Sequence, residues 1–255
     1  MNNKTELINL CKELRLPSIR QMVEEETGFN NPEEAFEVLL QVLLQEQRDR
    51  LVRAKQGRIR SANFPQKKLL EELVIEALPP QAQQKIHHLK SLDFIIEGQN
   101  VVLTGSPGTG KTHTAIGLGI EACLAGYKVF FATVPSLINQ LKEYRSERTL
   151  RSFELKFEKY DLVIIDELGY ISFDKEGAEL LFTHLSLRAG RKSTIITSNL
   201  PFVKWQDIFH DPVLTAALTD RLTHKSHVLN MNGPSFRMKE TQEWMNISEA
   251  EVAQN

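Results

Sequence analysis

A chain of 255 residues with a formal net charge of −2, 41% hydrophobic and 25% charged, has room for one sizeable α/β core and a smaller appendage. Its apolar residues never run close to the roughly 18 in a row that a membrane helix needs, and the opening MNNKTELINLCKELRL carries charge throughout with no apolar signal-peptide centre, so a cytoplasmic protein with no membrane partner is expected. Two distant cysteines, Cys11 and Cys123, argue against a disulfide framework or a cysteine metal site.

The first 47 residues read as helical. Thr5 can cap a short helix carrying Leu7, Leu10, Cys11 and Leu14, which Pro17 interrupts. Asn31 or Pro32 opens a second helix with Phe36, Leu39, Leu40, Leu43 and Leu44 on one face, continuing to about Ala54. Gly57 and Asn63-Phe64-Pro65 are expected to break it, and a further amphipathic stretch runs from Pro65 to Leu78. This divides the chain into a small helical domain with a basic linker (1–64), a main domain (65–247) and a polar, disordered tail (248–255). From Arg48 to Lys68 stand eight basic residues (Arg48, Arg50, Arg53, Lys55, Arg58, Arg60, Lys67, Lys68) and one acid, Asp49. So local an excess in a mildly acidic chain hints at a polyanion partner, although an exposed helix face would carry the same charge.

The main domain alternates strand and helix patterns. Candidate strands are Asn100–Thr104, Lys128–Thr133, Leu162–Asp166, Thr194–Ser198 and His227–Asn230, each short, apolar and rich in β-branched or aromatic residues. Strands of this kind separated by helices predict an α/β fold, a doubly wound parallel sheet of five strands between helices.

The first strand runs straight into GSPGTGKT and then a helical pattern, His113–Leu124. This is a phosphate loop in the strand–loop–helix setting it requires. Gly105 and Gly110 allow backbone angles a side chain would block, and the loop amides and the helix N-terminus favour a phosphate. Lys111 would reach the β- and γ-phosphates, and the Thr112 hydroxyl would ligate Mg²⁺. Gly105, Ser106, Pro107, Gly108, Thr109, Gly110, Lys111, Thr112 and His113 are therefore the set expected around ATP. Between this loop and the third strand lies a second basic set, Lys142, Arg145, Arg148 and Arg151, spaced to share a helical stripe within Leu141–Phe157, diluted by Glu143 and Glu147. The third strand ends in two acids, which a parallel sheet delivers to its C-terminal, ligand-binding edge. Asp166 would hold Mg²⁺ through its water shell and Glu167 would orient and polarise the attacking water. Asn199, ending the fourth strand, lies where an amide could sense the γ-phosphate.

Taken together, GSPGTGKTH, LVIIDELGY, TIITSNLPF and LTDRLTHKSHVLNMNGPSFR resemble the AAA+ ATPases and, among them, the IstB-like helper ATPases of two-gene insertion sequences, relatives of the helicase loader DnaC and the initiator DnaA. The resemblance extends to about Trp244. It implies that Asn199 is the first sensor, Arg221 the arginine that reaches a neighbouring subunit's ATP, and Arg237 the second sensor. Only 18 residues follow Arg237, too few for the usual helical lid, so a reduced or absent lid is expected.

The resemblance also implies ATP-driven assembly of a homo-oligomer on DNA and delivery of a target to a separate transposase. In the initiator and loader relatives an extra helix at the position of the second basic set faces DNA. Arg48, Arg53, Lys55, Arg58, Arg60, Lys142, Arg145, Arg148 and Arg151 are the candidate DNA contacts. Neither set has the interleaved aromatics of single-strand stacking, so duplex backbone contacts are expected. Three functions stay open: a transposition helper, a DnaC-like helicase loader, and a nucleotide-gated scaffold that scarcely turns ATP over.

Overall fold

Leucines at helical spacing cannot each form a core alone, and in the computed structural model, which describes residues 3–170, 172–209 and 211–252, they converge on one small bundle. It is built by α1 (Asn3–Glu13), α2 (Pro17–Glu25) and most of α3 (Pro32–Ser61). Leu7, Leu10, Cys11, Leu14, Val23, Phe36 and Leu43 fill its core. Thr5 lies inside α1 rather than capping it, and Pro17 opens α2, where its missing N–H leaves nothing unpaired. Clustering of contacts divides the chain into two compact units, Met1–Gly57 and Arg58–Asn255.

The second unit contains α4 (Pro80–Leu89), α5 (Asp93–Ile96), β1 (Asn100–Thr104), α6 (Lys111–Ala125), β2 (Val129–Thr133), α7 (Val134–Ser146) and α8 (Leu150–Phe157). It continues through β3 (Leu162–Leu168), α9 (Lys175–Arg188), β4 (Ser193–Ser198), α10 (Gln206–Phe209), α11 (Pro212–Thr223), β5 (Ser226–Asn230) and α12 (Phe236–Val252). The five strands pair in parallel in the order β2-β3-β4-β1-β5, the sheet expected from the sequence. Alternation along each strand feeds two apolar layers. Leu103, Phe131, Ile164 and Ile195 face one, with α6. Val102, Phe130, Ile165 and Ile196 face the other, with α7, α8, α9 and α11.

Several helix boundaries depart from the sequence reading. Gly57 does not end α3, because one glycine costs a helix only about 1 kcal/mol. The residues after it, Ile59 and Ala62, pack into the α6-side layer, and Phe131 N–H donates to the Ala62 carbonyl at 2.8 Å. Asn63, at φ 61°, stops the helix instead, as an asparagine in the left-handed region does. The compact second unit begins at Arg58. The expected helix over 65–78 is absent: only two single turns, Leu70–Glu72 and Ile75–Ala77, interrupt an irregular segment. At the other end α12 continues through Val252, so the expected disordered tail is helical up to that point, and residues 253–255 lie outside the described residues. Among the described residues one helix, α12, follows β5.

Arg188, the last residue of α9, is only 2% exposed. Its guanidinium donates to the carbonyls of Phe157, Tyr160 and Ser193 at 3.0–3.1 Å and to Asp161 at 3.5 Å, joining the end of α8 to the starts of β3 and β4. Burial pulls its pKa down to about 10, with Asp161 opposing the shift. Replacing it by methionine (Arg188→Met) strands those carbonyls in the interior, and urea unfolding is expected to show a loss of about 3 kcal/mol.

Candidate functional site

β1 enters the phosphate loop where two chain segments approach too closely for side chains. A Cβ on Gly105, at φ 149°, would lie 2.6 Å from the Met231 backbone, and one on Gly108, at φ 79°, would collide with Ser235. Asn232 Oδ1 accepts from the Ser106 N–H at 2.9 Å, and Phe236 N–H donates to the Gly108 carbonyl at 3.0 Å. The segment after β5 thereby fixes the loop. Thr109 Oγ1 donates to the Ser106 carbonyl at 2.9 Å, tightening it from within. Lys111, 6% exposed, donates to the carbonyls of Gly105 and Ser106 at 2.7 and 2.6 Å. Its pKa is lowered, chiefly by burial; Asp166 opposes the shift and Arg237 adds to it.

Thr112, at the start of α6, donates to the two carboxylate oxygens of Asp166 at 2.9 and 3.1 Å. A hydroxyl paired with a 3%-exposed carboxylate at the phosphate loop is an oxygen donor set that fits Mg²⁺, which takes few protein ligands and keeps several waters. Glu167 is exposed beside it and lines a cleft of about 410 Å³. That cleft also presents Gly108, Gly110, Lys111, Thr112 and His113 from the loop and its helix, and Phe236, Arg237 and Glu240 from α12.

Such a constellation suits a nucleoside triphosphate: amides and Lys111 for the phosphates, Thr112 and Asp166 for a divalent cation, Glu167 for a water. A family model described as "IstB-like ATP binding protein" matches residues 9–244. The chain belongs to that family. An ATP-binding protein of insertion sequence IS5376 from Geobacillus stearothermophilus is 34% identical over 93% of this chain and 95% of its own length. The counterpart from insertion sequence IS21 of Pseudomonas aeruginosa is 37% identical over 80% of this chain and 77% of its own. Among solved structures, the replication initiator DnaA bound to AMPPCP and single-stranded DNA is similar at a TM-score of 0.57 and 19% identity, covering 72% of this chain and 55% of that one. The DnaC helicase loader gives 0.52 and 21%, covering 68% of this chain and 98% of that one. These two likenesses show that the domain shares the fold of those two structures.

Not every candidate joins the cleft. Asn199 follows β4, and its Oδ1 is buried without a hydrogen-bond partner among the described residues, 3.1 Å from where a Cβ on Gly169 would stand. Arg221, exposed on α11, donates to Ser186 Oγ at 2.6 Å with its guanidinium 4.9 Å from the Phe182 ring centroid. It lies against α9 and does not line its own chain's cleft. Arg48, Lys55 and Arg60 are exposed, as is Arg53, which pairs with Glu46 at 3.2 Å. Arg58 is half-buried, its Nε donating to the Cys123 carbonyl at 2.7 Å near the end of α6. The expected stripe on one helix is broken at Arg148, whose φ of 60° separates α7 from α8. Lys142 pairs with Asp174 at 2.7 Å, Arg145 with Glu176 at 3.3 Å and Arg151 with Glu154 at 3.0 Å.

Other cleft residues escaped the sequence reading. Lys67 and Lys68, counted with the basic run, line the nucleotide cleft with Gln66, Leu73 and Val74. His113 holds that segment in place, its Nε2 2.6 Å from the Leu69 carbonyl. Thr197 and Tyr170 also line the cleft. No local signal singles out Thr197 within its strand, and nothing local marks Asn232. Gly105→Ala should strain the loop by roughly 1–3 kcal/mol and push the Met231 segment away, and titration with a fluorescent ATP analogue should show affinity lowered on the order of tenfold or more.

Proposed function

We propose that this chain binds and hydrolyses ATP with Mg²⁺, assembles with copies of itself on duplex DNA in the cytoplasm, and recruits a partner transposase. The observation that carries the reading is the meeting, in one cleft, of the phosphate-loop residue Lys111, the Thr112–Asp166 pair and the exposed carboxylate of Glu167. Membership of the IstB-like family and relatives named as ATP-binding proteins of insertion sequences support the nucleotide and the biological setting.

Each chain residue has a role set by its chemistry. The loop amides and Lys111 hold the phosphates; burial of Lys111 leaves its charge little screened and strengthens its pull on the γ-phosphate. Thr112 and Asp166 would hold Mg²⁺, which offsets phosphate charge when bound. Glu167 orients the attacking water and accepts its proton, and Asn199 is the first sensor, an amide that responds to the γ-phosphate. Arg237 reaches the phosphates from α12 as the second sensor. Arg221 serves the cleft of a neighbouring copy, a role supported by its exposure and by its place against α9, outside the lining of its own cleft. Of the exposed basic residues of α3, Arg48, Arg53, Lys55 and Arg60 are the leading DNA contacts; Lys142, Arg145 and Arg151 can exchange their surface acids for phosphates, because exposed ion pairs contribute little.

Glu167→Gln keeps size and hydrogen bonding but loses the base. Phosphate-release assays are expected to show turnover lowered roughly 10²-fold or more with ATP still bound, and filter binding should show longer-lived duplex complexes. Normal turnover would reduce Glu167 to a strand end. A preference for single strands, with capture of a helicase rather than a transposase, would favour the loader instead.

The neighbour-dependent role of Arg221 has its own test. Arg221→Ala should bind ATP yet hydrolyse little, and Lys111→Ala should not bind it. Mixing the two places an intact arginine against an intact phosphate loop, so phosphate release should partly recover, the arginine being worth about 10³–10⁵ in rate in comparable sites. Mixed oligomers that form but stay inactive would assign Arg221 a role within its own chain.

A further inference from the structure

The strand that delivers the two acids does not keep its register. β3 pairs with β2 as far as Thr133 opposite Asp166, and with β4 as far as Ile165 opposite Ile196. It then shifts, so that Leu168 meets Ser198. Asp166 and Glu167 therefore stand opposite one residue, Thr197, which is a β-bulge.

Alternation shows what the bulge achieves. Leu162 and Ile164 face the α6 layer, and Val163 and Ile165 the opposite layer. Asp166 follows the first set and meets Thr112. In a regular strand the next side chain would enter the opposite layer, putting a carboxylate among Phe130, Val163 and Leu181, where an unpaired charge is strongly disfavoured. Leu168 occupies that layer instead. Glu167 is the extra residue, at φ 68°, exposed on the cleft wall. A non-glycine residue in the left-handed region costs on the order of 1 kcal/mol, so a compensating contact is needed to hold it there.

Thr197, 2% exposed, makes that contact. Its Oγ1 donates to Asp166 Oδ1 at 2.5 Å and accepts the Glu167 N–H at 3.0 Å. One hydroxyl therefore uses its single donor on the first acid and an acceptor lone pair on the backbone of the second.

We propose that Thr197 is a positioning residue for both acids, holding the Asp166 carboxylate toward Thr112 and pinning the bulge that turns Glu167 into the cleft. The rate consequence rests on the hydrolytic reading above; the effect on the Thr112–Asp166 cation pair does not.

Thr197→Val keeps the β-branched shape and removes both bonds, while Thr197→Ser keeps the hydroxyl and loses a methyl. The valine variant is expected to bind ATP without Mg²⁺ as the wild type does. It should need about 10-fold more Mg²⁺ to reach full affinity, and its turnover at saturating ATP should be about 10–100-fold lower. The serine variant should recover most of both properties. A residue that merely packs would give the opposite ranking, valine near wild type and serine worse, and that outcome, or a valine variant with unchanged Mg²⁺ demand and turnover, overturns the proposal. Should the valine chain fail to fold, Thr197→Cys, of similar size with a weak donor, takes its place and is expected to be impaired in both readouts, with serine again the better variant. If the wild type binds Mg·ATP but releases no phosphate, hydrolysis is excluded, and the Mg²⁺ titration alone decides the role of Thr197.

Discussion

A parallel sheet buried on both faces is the constraint from which the rest of the second unit follows. Helices must cover each face, every connection must cross from one end of the sheet to the other, and the C-terminal edge is the place where loops are free to carry chemistry. The order β2-β3-β4-β1-β5 sets β1, β4 and β3 side by side. The phosphate loop after β1, the acids at the end of β3 and the polar residues ending β4 are thus neighbours because their strands are. Little side-chain reach is needed: Thr112, Asp166 and Thr197 touch through hydrogen bonds of 2.5–3.1 Å.

Local chemistry was legible wherever it was local. The phosphate loop and the acids ending β3 announce themselves because residue type, spacing and the flanking apolar strand all lie within a dozen positions. The five strands were legible for the same reason, each a short apolar run. What escaped depends on contacts between distant segments. Gly57 reads as a breaker, yet burial of Ile59 and Ala62 carries α3 past it. Residues 65–78 have a helical pattern, but His113 holds the Leu69 carbonyl, and Leu70, Leu73 and Leu78 enter the core from an irregular segment with two single turns. Arg58 has the charge of a DNA contact and bonds the Cys123 carbonyl. Thr197 becomes informative only once the register of β3 against β4 is known.

The two basic sets also separate in a way composition cannot reveal. On α3 the arginines and lysines outnumber nearby acids, and Arg48 and Lys55 stand exposed. Around α7 and α8 each of Lys142, Arg145 and Arg151 has an acid within 3.3 Å. The first set offers net positive charge to an approaching polyanion, and those three residues of the second offer it only by exchange. The salt sensitivity of any nucleic-acid contact should therefore originate mostly on α3.

The walls of the cleft come from stretches far apart in sequence: 66–74, the phosphate loop with its helix, the chain around the ends of β3 and β4, and the start of α12. An unfolded chain has no such cavity, so whatever fills it binds the native state alone. A ligand at a hundred times its dissociation constant adds about 2.7 kcal/mol to the stability of the unit. Emptying the cleft removes that increment, so the unliganded unit unfolds at lower urea than the liganded one.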